Sequence, residues 1–178
     1  MKCEQDCVNH RFCWFGKSTV RRIVAEYFSK SMHIKVDDLQ EMMVKGIEPP
    51  GEEITQEAYR QFQWARNTVI YMAQLYASQG VVIVIDNVCS PPNFAEQYAE
   101  PFKTPLVHRV LLFPKGPTLI ERMKKRAGPW DPILVDAVPM VYSYLEPMPK
   151  DGWIVLDSGD WTIEQTVQEV LSKISSVS

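Results

Sequence analysis

The stretch RFCWFGKSTVRRIVAEYFSK, residues 11–30, joins a glycine-lysine pair to an amphipathic run. Its centre, Gly16-Lys17-Ser18-Thr19, matches the end of the phosphate-binding pattern in which Gly and four further residues precede Gly-Lys-Ser/Thr. The apolar residues that follow recur at helical spacing, so a helix is predicted to run from here to about Ser31. Glycine lets the backbone wrap an anion, and a helix N-terminus supplies N–H donors and partial positive charge. The stretch therefore predicts a phosphate site at the start of the first helix.

The first half of that pattern is missing. Its leading glycine would fall at position 11, which is arginine, and residues 12–15 are Phe, Cys, Trp and Phe. Bulky side chains make a close backbone nest harder to form. The preceding residues, CEQDCVNHRF, also lack the apolar run of a central buried strand. We therefore divide the chain into an atypical N-terminal segment, residues 1–14, and a single domain, residues 15–178.

The N-terminal segment contains an unusual group of thiols and an imidazole, namely Cys3, Cys7, His10 and Cys13. Thiolate and imidazole are the ligands that structural zinc prefers. The spacing lacks the paired Cys-x-x-Cys knuckles of such sites, which favours an unusual leader over a metal site.

Composition excludes several classes of protein. The chain has 178 residues, 46% of them hydrophobic and 23% charged, as expected for one globular domain. A net charge of −3 gives no overall attraction to nucleic acid or to an anionic membrane. The longest apolar run, residues 81–85, is too short to cross a bilayer. The start MKCEQDC is acidic where a signal peptide is apolar, so we expect a cytoplasmic protein with no nucleic-acid or membrane partner.

Predicted strands and helices alternate along the domain. The segment VVIVID is apolar on both faces, as a strand covered by helices on each side must be. MHIKV, PLVHRVLLF and GWIVLD are further strands, Thr55 begins the longest helix, and Gly80 closes it. Thr162 and Gln165 form a capping box for the last helix, whose predicted buried stripe is Ile163, Val167, Val170 and Ile174. This alternation predicts an α/β fold with a parallel sheet.

Three acidic residues follow predicted strands, namely Asp37, Asp86 and Asp157. Ligands of parallel sheets bind at the carboxyl ends of the strands. This edge of the sheet is therefore the predicted site for phosphate and metal chemistry.

Four segments carry a resemblance to a known group: FGKSTVRRIVAEYF, HIKVDDLQEMM, the run from YRQFQWARN to VVIVIDNV, and HRVLLFPKGPTLIERMKKR. Over about residues 15–171 the chain resembles the small P-loop kinases of the nucleoside-kinase-like group. Within it, the chain is most similar to ATP-dependent phosphotransferases related to chloramphenicol phosphotransferase and to the zeta-toxin-like kinases. The resemblance implies a three-layer P-loop NTPase fold, in which helices flank a mostly parallel central sheet and a small helical lid is present. It also implies ATP and Mg²⁺ as cofactors.

The phosphate pattern and the resemblance assign nucleotide and metal roles. Residues 16–19 would hold ATP, with Lys17 reaching the outer phosphates and the Ser18 hydroxyl binding magnesium. Asp86 matches the acid that holds the magnesium hydration shell, although it is also a plausible strand terminator. Arg122 and Arg126 match lid arginines that close over the phosphates. They are four residues apart and share a helix face, which is also typical of a solvated charged surface.

The resemblance assigns the acceptor side to the end of the second strand. Asp37 matches the acid that activates the acceptor hydroxyl, and as a carboxylate it could accept the hydroxyl proton. Asp37 and Asp38 could also cap the helix that follows, and for Asp37 a cap is compatible with the catalytic role. Asp38 is the weaker acceptor candidate, and Arg60 on the long helix is a further one.

Two functions remain open at this point. The first is a kinase that phosphorylates a hydroxyl of a small molecule. The second is a catalytically impaired relative that binds nucleotide weakly or serves as a protein-interaction module. The sequence does not determine the acceptor or the oligomeric state.

Overall fold

The computed structural model describes residues 17–48, 55–87, 107–126 and 150–176, together with residues 96, 98, 135–136, 138–139, 142–143 and 145–147. Gly16, the N-terminal segment and the stretch SPPNFAEQYAE, whose leading prolines predict the start of a helix, lie outside this part of the chain, apart from residues 96 and 98. So do the side chains of Lys17, Ser18 and Arg126.

The helices and strands follow in the predicted alternation. The helices are α1 (Lys17–Tyr27), α2 (Val36–Glu41), α3 (Gln56–Ala77), α4 (Gly116–Arg126) and α5 (Ile163–Ser176). The strands are β1 (Ser31–Lys35), β2 (Val82–Asp86), β3 (Arg109–Leu112) and β4 (Trp153–Leu156). Helix α1 ends four residues earlier than predicted because Ser31 already pairs with Val82 at the start of β1.

The strands pair in parallel, as the alternation predicts. β1 pairs with β2, and β3 pairs with β4, among the residues that the structure describes. Side chains of β2 point alternately to two cores: Ile83 and Ile85 to one, Val84 to the other. All three are at most 1% exposed. The prediction that helices cover both faces of this strand is therefore confirmed.

Helix α3 covers one face of the sheet. Its small residues Ala65, Val69, Ala73 and Ala77 pack in one core with Ile34 of β1 and with Ile83 and Ile85 of β2. Thr55 caps the helix by accepting a hydrogen bond from Ala58 N at 3.0 Å. These contacts fix α3 over β1 and β2 and form the first layer beside the sheet.

Helices α1 and α5 cover the other face. They share a core with Val84 of β2 and with Val110, Leu112 and Leu156 of β3 and β4. Helix α1 contributes Val20 and Val24, and α5 contributes Val167, Val170, Leu171 and Ile174. The two strand pairs thus belong to one three-layer α/β architecture. In the predicted α5 stripe Ile163 is wrong, since it is 38% exposed, and Leu171 takes its place in the core.

The start of α5 is held by its side chains. The Thr162 N–H donates to Gln165 Oε1 at 2.9 Å, and Gln165 N donates to Thr162 Oγ1 at 3.2 Å. This reciprocal pair satisfies two N–H groups that have no partner within a helix. The predicted capping box is confirmed.

No helix among the described ranges has both the length and the apolar character that crossing a bilayer requires.

Candidate active site at the carboxyl edge of the sheet

The beginning of α1 lies beside the end of β2. Arg21, in the second turn of α1, forms an ion pair with the Asp86 carboxylate, which ends β2. Lys17 begins the same helix four residues, about one turn, before Arg21. In the sheet Lys35 of β1 is opposite Asp86, and Asp37 follows two residues later. The start of α1, Asp86 and Asp37 are therefore brought to one edge of the sheet.

The Arg21–Asp86 pair is buried. The side chain of Arg21 is 3% exposed and that of Asp86 is 13% exposed. Arginine remains charged at any pH that a protein tolerates, so the guanidinium needs a compensating anion in the interior. Asp86 Oδ1 provides it. Among the side chains that the structure describes, Asp86 Oδ2 has no hydrogen-bond partner.

His33 of β1 completes this cluster. Its Nε2 atom lies 3.7 Å from Asp86 Oδ2, which is too long for a hydrogen bond. Burial, and to a lesser extent the positive charges of Arg21 and Lys35, together lower the pKa of His33 to about 4. The imidazole is therefore neutral at pH 7 and adds no charge to the cluster.

The lowered pKa of His33 makes the stability of the fold depend on pH. In the unfolded chain His33 takes up a proton near pH 6.5, whereas in the folded chain it does so only near pH 4. The unfolded state thus binds more protons between these values, so stability falls as the pH is lowered from 6.5. We expect the free energy of unfolding to drop by about 1–2 kcal/mol between pH 6.5 and pH 5, measured by denaturant titration.

The matched variant is His33→Gln, which cannot titrate. It should lose most of that pH slope. Identical slopes in the two proteins would show that His33 does not control it. Asp37 acts with the opposite sign, because its raised pKa makes protonation favour the folded chain.

Asp37 lies in the first turn of α2. The helix begins at Val36, its N-cap is Lys35, and no side chain makes a cap hydrogen bond there. The predicted capping by Asp37 and Asp38 is therefore wrong, because the helix starts one residue before them. Asp37 is an exposed residue, and its pKa is raised first by partial desolvation of the carboxyl group and then by the nearby charge of Glu41. A carboxylate with increased proton affinity suits general-base work.

The other two acceptor candidates are in exposed ion pairs. Asp38 Oδ2 lies 3.3 Å from Lys35 Nζ, and Arg60 Nη1 lies 3.2 Å from Glu57 Oε2. Asp38 is 53% exposed and Arg60 is 59% exposed. Such pairs contribute little to stability. The roles of Asp38 and Arg60 toward an acceptor stay predictions.

Arg122 binds the backbone of the loop that follows β4. Its Nη2 donates to the carbonyl oxygens of Gly159 at 2.5 Å, Ser158 at 3.0 Å and Trp161 at 3.4 Å. Leu119 and Met123 of the same helix pack against Val138. The segment predicted as a lid is thus a packed helix tied to a loop at the carboxyl edge. The contacts of Arg122 and Arg126 with ATP stay predictions.

A cavity of about 790 Å³ opens at the ends of β3 and β4. Its walls include the stacked rings of Phe113 and Tyr142, the start of α4 at Gly116, and Asp157 after β4. The Asp157 carboxylate accepts a hydrogen bond from Gly159 N at 3.0 Å. Asp157, the third acid at a strand end, therefore helps to order the loop after β4 that Arg122 also binds.

Asp86 is poorly suited to bind magnesium at this edge of the sheet. Mg²⁺ is usually held by one or two carboxylates, water and the phosphates of the nucleotide. Here one oxygen of Asp86 is engaged by a permanent cation, and a second cation beside it would meet the charge of Arg21. Within the described ranges no group of three or more His, Cys, Asp and Glu side chains is arranged to hold a metal ion. Cys3, Cys7, His10 and Cys13 lie outside those ranges.

Sequence reasoning missed Arg21 and His33. A signal for Arg21 was present, because Val24 and Ala25 follow it by three and four residues and belong to the buried face of α1. A charged residue on such a face needs a buried partner. His33 carried no comparable signal, since its position beside Asp86 depends on the register of β1 against β2.

Solved structures share this architecture. A gluconokinase from Sinorhizobium meliloti superposes with a TM-score of 0.67 at 18% identity, covering 99% of this chain and 95% of the other. A sugar kinase from Janibacter gives 0.66 at 19% identity and covers 98% of both chains. A shikimate kinase from Bacteroides thetaiotaomicron gives 0.62 at 17% identity, covering 96% of this chain and 98% of the other.

The chain has the fold of the P-loop kinases. These identities are too low to establish more than the fold. No protein-family model matches the sequence, and no curated protein does. The P-loop kinase fold accounts for the position of Lys17, which opens α1 at the carboxyl edge where Asp37 and Asp86 also lie.

Proposed function

We propose that this protein is an ATP-dependent phosphotransferase that moves the γ-phosphoryl group of ATP to a hydroxyl group of a small molecule. The observation that carries the proposal is the position of the Lys17-Ser18-Thr19 helix start. It lies at the carboxyl end of β2, on the same edge as an aspartate of raised pKa, Asp37. We propose further that the protein belongs with the chloramphenicol phosphotransferase-like and zeta-toxin-like enzymes and acts in the cytoplasm.

The proposed reaction is an in-line displacement. The acceptor hydroxyl oxygen attacks the γ-phosphorus, the bond to the bridging oxygen of ADP breaks, and Asp37 takes the hydroxyl proton. Lys17 and the N–H groups of the first turn of α1 would hold the transferred group. Mg²⁺, when it accompanies ATP, supplies charge neutralisation of the phosphates. Positioning and electrostatics supply most of the rate in such reactions.

The acceptor is proposed to be a small polyhydroxylated compound. The similar structures are named as gluconate, sugar and shikimate kinases. These names support the class of acceptor without identifying it. The direct test is ATP consumption by the purified full chain against a panel of sugars, sugar acids, cyclic polyols, nucleosides and hydroxylated antibiotics. Acceptor-dependent release of ADP from one class would support the proposal.

Asp37→Asn is expected to lower kcat by about 100-fold with the active acceptor, because an amide cannot take the hydroxyl proton. The matched control is Asp151→Asn, an exposed carboxylate in the turn before β4. It should change kcat by less than about threefold. In the wild type kcat should fall as the pH drops through the raised pKa of Asp37. Equal losses in the two variants would remove Asp37 from the role of base.

A second candidate function is a weak nucleotide-binding relative without catalysis. The Arg21–Asp86 pair favours it, because the strand-end acid is already engaged by a side-chain cation. This candidate predicts measurable ATP binding by calorimetry and no ADP release with any acceptor. Acceptor-dependent turnover would exclude it.

A further inference from the structure

We propose that Arg21 takes the place of a divalent metal ion beside Asp86, so that Asp86 supplies no metal ligand when nucleotide binds. The inference rests on the proposed function only for the identity of the nucleotide. The ion pair itself is independent of it. Any metal that enters would then be held by the phosphates of ATP rather than by this carboxylate.

The first support is geometric. Arg21 comes from α1 and Asp86 from the end of β2, 65 residues apart in sequence, yet they form a direct pair inside the protein. The arginine side chain is 97% buried, because only 3% of it is exposed. Withdrawing the guanidinium to admit a metal ion would require a new buried partner for a charge that cannot be removed by deprotonation.

The second support is the charge of the cluster. The positive charge of Arg21 and the negative charge of Asp86 cancel, and the neutral His33 ring adds nothing at pH 7. A carboxylate attracts Mg²⁺ mainly through net negative charge, with most of the coordination shell left to water and phosphate. Because Arg21 cancels its charge, Asp86 attracts a divalent ion only weakly.

The third support is the place of Arg21 relative to the predicted phosphate site. It follows Lys17 by four residues, so the first two turns of α1 carry two cationic residues. The helix N-terminus adds partial positive charge at the same end. Arg21 thus places a cationic group, paired with Asp86, one helical turn from the predicted phosphate site without a metal ion.

The experiment measures ATP affinity by calorimetry, once with Mn²⁺ and once in EDTA. The metal ratio is the affinity with Mn²⁺ divided by the affinity in EDTA. The proteins are the wild type, Arg21→Met/Asp86→Asn and the single variant Arg21→Met. Because the double variant removes both charges, it leaves no uncompensated charge in the interior. The control is Arg22→Met, since Arg22 is 75% exposed and pairs with Glu26 on the surface.

We expect the metal ratio in the double variant to stay within about twofold of the wild-type value, because no metal ligand has been lost. Arg21→Met frees the carboxylate and should raise the ratio about tenfold or more. A ratio that falls about tenfold in the double variant would overturn the proposal, since Asp86 would then be a metal ligand. If Arg21→Met does not fold, the double variant decides alone.

Absence of ATP binding in both conditions would reject the proposed function and leave the present inference to a separate measurement. That measurement is the binding of Mn²⁺ in the absence of ATP, monitored by the paramagnetic resonance signal of the free ion. Equal binding by the wild type and the double variant supports the role of Arg21. Binding by the wild type that the double variant loses contradicts it.

Discussion

Replacement of Arg21 by methionine is expected to lower the free energy of unfolding by about 3–5 kcal/mol. The change leaves Asp86, which is 13% exposed, as a buried carboxylate without its counter-ion. Burial, the largest cause of the lowered pKa of His33, persists in this variant and opposes protonation of the neighbouring imidazole. Urea unfolding monitored by tryptophan fluorescence measures the effect.

The double variant Arg21→Met/Asp86→Asn should recover most of this loss, since neither charge then remains in the interior. Arg22→Met is the control on the adjacent residue. Arg22 Nε lies 3.0 Å from Glu26 Oε1 in an exposed pair, so its loss should cost less than about 0.5 kcal/mol. A double variant as unstable as Arg21→Met would mean that packing of the arginine, and not its pairing with Asp86, carries the stability.

Lys17→Ala is expected to reduce acceptor-dependent ATP turnover by about 1,000-fold or more, which is the larger of the two catalytic effects predicted. Lys17 is the first residue of α1, at the carboxyl edge of the sheet. An ammonium group in that position would stabilise charge on the transferred phosphoryl group in the transition state. The measurement is single-turnover release of ADP together with calorimetric ATP affinity.

Lys124→Ala provides the comparison, because Lys124 is an exposed lysine of α4. It should leave turnover unchanged within about twofold. The free energy of unfolding of Lys17→Ala should also match the wild type, which separates lost chemistry from lost folding. Equal turnover by the wild type and Lys17→Ala would rule out the proposed phosphate site at the start of α1.

Several elements could be predicted from the sequence because their signals are local. The run VVIVID is apolar at every position before Asp86, and such a strand is stable only between two layers. The capping box at Thr162 and Gln165 needs only residues three apart, and both of its hydrogen bonds are present. The cap by Thr55 is similar.

Element boundaries were less predictable. Helix α1 was expected to reach Ser31, yet it ends at Tyr27 because the pairing of β1 with β2 already begins at Ser31. The start of α2 was displaced for a related reason, since β1 ends at Lys35 and leaves that residue as the N-cap. Helical periodicity does not indicate where a neighbouring strand begins to pair, so it does not predict the exact end of the helix.

The sequence by itself determined the alternation of helices and strands, the two-sided burial of β2 and the placement of acids after strands. Each follows from hydrophobic periodicity and local hydrogen bonding, which neighbouring residues specify. Only the tertiary structure decided that Arg21 pairs with Asp86, that His33 is neutral and that Arg122 holds the loop after β4. Those features join residues far apart in the chain. Their energies depend on burial and on the charges that packing brings together, and no sequence spacing encodes either.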